Sequence, residues 1–303
     1  MQAKSLSGLF LIACGAVLLS AKGVFAKLLY AQGVTVPVVL LLRALMSLPL
    51  FWAWAMVTVG PGNIIRADRT ALCWAAAAGF MCYYVGAYVD FYALTLIGAG
   101  LERILLYTYP AIIVLSLVIW RRQFPERRVL FSLVMTYVGV LLSIGGFNTG
   151  LLQSNLHGGL LVLFCALTYT FYFFVNEQVG RQIGSTLFTL FAMSMATFSF
   201  CVHFFLVHSL SGISMNTTAW TLLLTMVVFV TVIPILMIAE GVSRIGVQRA
   251  SLISTVGPPS TILMATVVLK ESMHWSQFFG VAIILSGIYV LERKPRRILP
   301  VPE

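Results

Sequence analysis

The sequence predicts an all-α polytopic membrane protein, with about ten transmembrane helices arranged as two inverted five-helix repeats. Three observations carry that expectation: a series of long apolar runs, a one-sided distribution of basic residues, and an internal repeat. Of the 303 residues, 60% are hydrophobic and only 9% charged. That is too little charge to cover the surface of a soluble domain.

A span needs ~20 consecutive, mostly apolar residues. Such stretches fall at about 6–30, 37–59, 70–94, 98–120, 128–147, 157–178, 184–208, 217–239, 246–269 and 276–292. None alternates as the strand of an outer-membrane barrel does. The first stretch opens with Lys4 and reaches Gly-Val-Phe-Ala at 23–26, the outline of a signal peptide. Its apolar part is longer than a usual h-region, however, and Lys22 stands just before the cleavage position, so it is expected to be retained. The cysteines, Cys14, Cys73, Cys82, Cys165 and Cys201, all fall inside expected spans without CxxC spacing. They read as small buried hydrophobes, not as a disulfide framework or a metal site.

The net charge of +10 would suggest a nucleic-acid partner until it is mapped. With ten spans and a cytoplasmic amino terminus, thirteen of the nineteen Lys and Arg residues fall in cytoplasmic segments, five within spans, and only Lys270 in an external loop. This is the positive-inside signature. It implies a multi-pass protein with both termini cytoplasmic and a basic face towards anionic headgroups. The partners it implies are the lipid bilayer and no nucleic acid.

The two halves repeat each other. Ile97-Gly98 and Ile245-Gly246 stand 148 residues apart, and the same shift carries Pro110 onto Pro258, Arg122 onto Lys270 and Gly139 onto Gly287. Nearer the start, a shift of 151 places Gly8 on Gly159, Cys14 on Cys165 and Gly33 on Gly184. The expected units are residues 6–147 and 157–292. Because a repeat of five spans is odd, the second copy must be upside down relative to the first. Inverted repeats are an architecture of secondary transporters, with substrate sites near the midplane between the repeats.

Several stretches carry a more specific likeness: Ala26-Lys27-Leu28 through Gly33 and Arg43, Phe91-Tyr92-Ala93-Leu94, Gly98-Ala99-Gly100-Leu101-Glu102-Arg103, and Tyr107-Thr108-Tyr109-Pro110. In the second half they are Gly257-Pro258, Leu269-Lys270-Glu271 and the helix from Gly280 to Gly287. On these residues the chain resembles a ten-helix carrier of the drug/metabolite transporter superfamily with two EamA-type repeats, over about residues 8–292. The resemblance implies an inner-membrane carrier, usually an exporter of small metabolites. Family members commonly have a Gly-Glu corner after the fourth and ninth helices; here Glu271 keeps the acid and Gln123 replaces it in the first copy.

Charges within spans are the sharpest pointer to a site. With span ends at Tyr30, Pro37, Leu94 and Gly98, and ~1.5 Å per residue, Lys27 lies ~5 Å deep, Asp90 and Glu102 ~6 Å, Arg103 ~8 Å and Arg43 ~9 Å. Lys22 lies ~8 Å deeper than Lys27. Such groups usually face a bundle interior or a watery cavity. Two readings stay open here, a set of structural ion pairs locking the first four helices and a gate or substrate site at the outer mouth. In the second copy Lys27 falls on Gln178, Arg43 on Ser194, Asp90 on Ile238 and Glu102 on Ala250, and a purely architectural lock would more naturally appear twice. A shallower set, Glu177, Glu240, Arg244 and Arg249, reads as interfacial.

Pro110 and Pro258, expected to kink equivalent helices and free backbone carbonyls, are the other candidates for the translocation path. Tyr107 and Tyr109 flank the first of them, and Tyr83, Tyr84, Tyr169 and Tyr172 sit near mid-span. There is no HExxH, GxSxG or Walker-type loop, so the expectation is a transporter and not an enzyme, with no cofactor. The partner is a small-molecule substrate: a metabolite, amino acid or amphiphilic solute. Proton coupling and uncoupled exchange both stay open, as do a monomer and a homodimer.

Overall fold

The computed structural model describes residues 2–109, 111–113, 115–116, 127–144, 148–207, 215–245, 254, 256–272 and 274–292. Within them the chain is helical throughout its regular structure. Span one comprises Gln2–Ser20 and Lys22–Ala31, span two Val36–Thr58, and span three Arg69–Gly79 continued by Phe80–Gly86 and Ala87–Ala93. Span four begins with Ala99–Leu106, and span five is Arg127–Ile144. In the second half, span six is Thr149–Ile183, span seven Ser185–Val207, and span eight Thr217–Val227 continued by Val228–Val232 and Ile233–Ile245. Span nine contains Gly257–Val268, and span ten is Trp275–Glu292. A short helix, Pro61–Arg66, links spans two and three.

Six of these helices are long and apolar enough to cross a membrane, and three shorter apolar helices lie in spans five, nine and ten. Their outer surface carries Phe10, Val57, Phe131, Phe205, Leu206 and Phe279 in the open. A hydrocarbon solvent accepts such a surface and water does not.

Packing follows the repeat. Span one lies on span eight as span six lies on span three, and span one meets span nine as span six meets span four. Spans three and seven pair as spans eight and two do, while five with ten, two with seven and four with nine pair across the halves. Exchanging the halves maps this set of neighbours onto itself, as a pseudo-two-fold requires. Small residues permit the close approach that helix packing in lipid depends on. Where spans five and ten cross, a Cβ added to Gly139 would sit 2.7 Å from the Gly280 carbonyl oxygen.

Local chemistry repeats as well. Gly33 and Gly184, matched by the 151-residue shift, both adopt positive φ, 79° and 84°, at the corner after the first span of each half. Only glycine enters that region without strain. Spans three and eight each contain a π-helical segment, starting at Phe80 and Val228, again 148 residues apart. Such segments frequently accompany functional sites.

Two elements differ from expectation. Span one is broken at Ala21 instead of running through, and the Ser20 carbonyl accepts a hydrogen bond of 2.9 Å from Thr261 of span nine. Span six begins eight residues early, because Asn148 caps it by accepting from the Gly150 and Leu151 amides. Pro258 sits in the first turn of the described helix Gly257–Val268, where a missing N–H costs nothing, and most of the expected span before it lies outside the described residues. Pro110, Gln123 and Arg249 lie outside the described residues.

Candidate functional site

The break in span one delivers Lys22 to the interior. Its ammonium donates to Asp90 Oδ2 of span three and, at 3.4 Å, to Glu102 Oε1 of span four. All three residues are buried, with Glu102 fully enclosed. One cation therefore ties together three spans of the first half through two acids.

Two arginines flank this triad. The Arg43 guanidinium lies 4.8 Å from the centre of the Phe91 ring, which Lys22 also approaches at 5.7 Å. Arg103, buried, lies 5.4 Å from the Tyr107 ring. Such cation–π contacts are worth ~0.5–2 kcal/mol each but cancel no charge. Four buried polar atoms have no hydrogen-bond partner among the described residues: Arg43 Nε, Arg103 Nε, Asp90 Oδ1 and Glu102 Oε2. Orphaned atoms at this density are unusual in a settled protein interior.

Lys27 does not join the acids of its own half. Its ammonium lies 3.3 Å from Glu271 Oε1, at the corner between spans nine and ten. Five residues turn a helix by about 140°, so Lys22 and Lys27 point from different faces. Glu271 also accepts from the Ala99 amide at 3.1 Å and the Gly100 amide at 3.5 Å. It thus satisfies the open N-terminus of span four with a negative charge.

Aromatic side chains continue inward from the charges. Tyr107 donates a hydrogen bond of 2.7 Å to the Ser254 carbonyl, and its ring neighbours Tyr109 at 5.9 Å. Tyr109 stacks on Phe173 at 5.1 Å and approaches Tyr169 at 6.2 Å. Tyr83 donates to the Tyr172 hydroxyl at 3.1 Å, and the Tyr84 hydroxyl is 2.9 Å from His203 Nδ1. Pro258 is buried beside Tyr107, Ile104 and Ile284.

The profile of the EamA-like transporter family matches residues 6–145 and 156–293, one copy in each half. The chain belongs to that family. A Bacillus subtilis (strain 168) protein named uncharacterized transporter YcbK is 28% identical over 292 residues, covering 93% of this chain and 92% of its own. A second protein of that organism, named uncharacterized transporter YetK, is 25% identical over 200 residues, covering 64% and 60%. A solved crystal structure superposes with a TM-score of 0.65 at 15% identity over 96% of each chain, a likeness of fold. As an EamA-like transporter, the chain is a multi-pass membrane transporter and not an enzyme.

Within this EamA-like frame, sequence reasoning placed Lys27, Arg43, Asp90, Glu102 and Arg103 in one layer with Lys22 deeper, and so missed which lysine holds the acids. It also missed Glu271 as the partner of Lys27 and the Thr261–Ser20 bond. A signal for Glu271 was present: Lys27 and the corner between spans nine and ten were both assigned to the same membrane face.

Proposed function

We propose that the chain is a secondary carrier that exports small metabolites by alternating access between its two halves, with the buried charges of the first half as its gate and substrate site. The observation that carries this reading is the Lys22–Asp90–Glu102 triad. It is buried, spans three helices, adjoins a helix break, and is absent from the second copy. Lys22 corresponds to Phe173, Asp90 to Ile238 and Glu102 to Ala250. Discontinuous helices with charges at their breaks suit solute sites in inverted-repeat transporters.

In this reading the Lys27–Glu271 pair is a latch at one mouth. The basic asymmetry supports cytoplasmic termini in an inner membrane, which puts the latch on the external side. The six proposed gating charges are Lys22, Lys27, Arg43, Asp90, Glu102 and Arg103, with Tyr107, Pro110 and Pro258 along the path. Purified protein in liposomes should exchange a labelled small solute saturably, and faster efflux than influx in cells would establish export. Absence of saturable flux across a broad metabolite panel would refute the proposal.

A further inference from the structure

The geometry points to an organic monoanion as the solute, its carboxylate seated among Lys22, Arg43 and Arg103. This inference rests on the carrier reading and names the chemistry of that same site.

The first argument is charge. Among the described residues the interior set holds Lys22, Arg43 and Arg103 against Asp90 and Glu102, one cation in excess. Both acids reach Lys22. Among the described residues no ion pair is made by Arg43 or Arg103, whose guanidinium groups lie over aromatic rings. Each has its Nε buried and without a partner, and Arg103 is 5% exposed. An uncompensated charge at this depth is costly, and one incoming negative charge balances the set. An amine would raise the excess to two, and a zwitterion would leave it unchanged.

The second argument is convergence. Lys22 and Arg43 approach the same Phe91 ring, at 5.7 and 4.8 Å, and Arg103 lies over the Tyr107 ring. Tyr169, on span six in the opposite half, joins Tyr107 through the Tyr109 ring. A carboxylate beside Phe91 and Tyr107 would face every cation of the cluster. Arginine supplies the donors that planar carboxylates fit. The Tyr109–Phe173 stack beside Tyr169 offers an apolar wall for the body of the solute. The free oxygens of Asp90 and Glu102 repel a second carboxylate and accept from a hydroxyl or amide, which disfavours dianions.

The test uses the full chain, purified and in liposomes, with acetate, benzoate and 3-phenylpropionate as monoanions. Phenylalanine and phenethylamine supply a zwitterion and a cation of similar shape. At least one monocarboxylate should raise the melting temperature and exchange saturably, while phenethylamine does neither. Arg103→Gln removes a buried charge and some stability with it. Arg43→Lys keeps the charge and loses the planar donors, and should raise KM for that carboxylate about tenfold with the melting temperature of the ligand-free protein unchanged. An unchanged KM in Arg43→Lys would overturn the proposed seat. Flux of phenylalanine or phenethylamine without any carboxylate flux overturns the anion site and leaves the carrier reading standing. Carboxylate binding without flux supports the anion site and counts against the carrier. Failure of every monocarboxylate to bind or move overturns the anion site.

Discussion

Lys27 and Glu271 meet at 3.3 Å across the boundary between the two halves. The first belongs to span one and the second to the corner after span nine, and Glu271 simultaneously caps span four through the Ala99 amide. Both side chains of the ion pair are about a fifth to a quarter exposed. The pair alone is therefore worth at most ~1 kcal/mol, with the anion at the helix N-terminus adding ~0.3–1 kcal/mol. A contact of that size can hold a mouth shut and still part during a transport cycle.

Replacing the latch acid should accordingly loosen one end of the protein and no other. In Glu271→Ala, hydrogen exchange at the Ala99 and Gly100 amides should accelerate about five- to tenfold, matching ~1 kcal/mol lost at a cap. Peptides from span five should exchange as before. Unchanged protection at Ala99 would mean that Glu271 does not hold this end.

Lys270, the residue before it, adopts a φ of 55°. A non-glycine residue in left-handed conformation costs ~1–2 kcal/mol. Lys270→Gly should relieve that strain and raise the unfolding free energy by roughly 1 kcal/mol, read as a higher melting temperature in detergent. A fall would show that the lysine side chain contributes more than its backbone costs.

The triad makes a further prediction about stability. Asp90→Asn with Glu102→Gln leaves Lys22 buried without a counter-charge, a loss of ~3–5 kcal/mol. Adding Lys22→Met removes the stranded cation and should restore most of that stability, since a packed apolar group can replace a buried ionic set. The triple variant should fold and fail to transport. If the double and triple variants melt alike, Lys22 does not depend on these acids.

Topology is tested separately. Reporter fusions after Glu303 should give a cytoplasmic signal, and insertions in the 209–216 loop an external one. An external signal at Glu303 would overturn the orientation and move the latch to the other face.

The spans were legible because apolar runs of this length admit few structures in lipid. The repeat was legible because both copies retain residues with backbone roles, such as Gly33 and Gly184 at positive φ. Residue-level pairing was not. Depth along a helix can be read from residue number, but azimuth and tertiary neighbours cannot. Lys22 and Lys27 lie on one helix, and depth alone favoured Lys27 as the partner of Asp90 and Glu102. The break at Ala21 and the turn between the two lysines gave those acids to Lys22.

The most direct test of the central claim, that the buried charges of the first half are the transport site, is to measure solute flux and melting temperature together in Asp90→Asn and Glu102→Gln. Each single variant leaves Lys22 one acid, so both should express and melt within a few degrees of the parent while losing at least nine-tenths of transport, on the order of 1.4 kcal/mol or more in the transport barrier. Parental flux in well-folded forms of both variants would contradict the account and leave the triad as a structural tie between spans one, three and four.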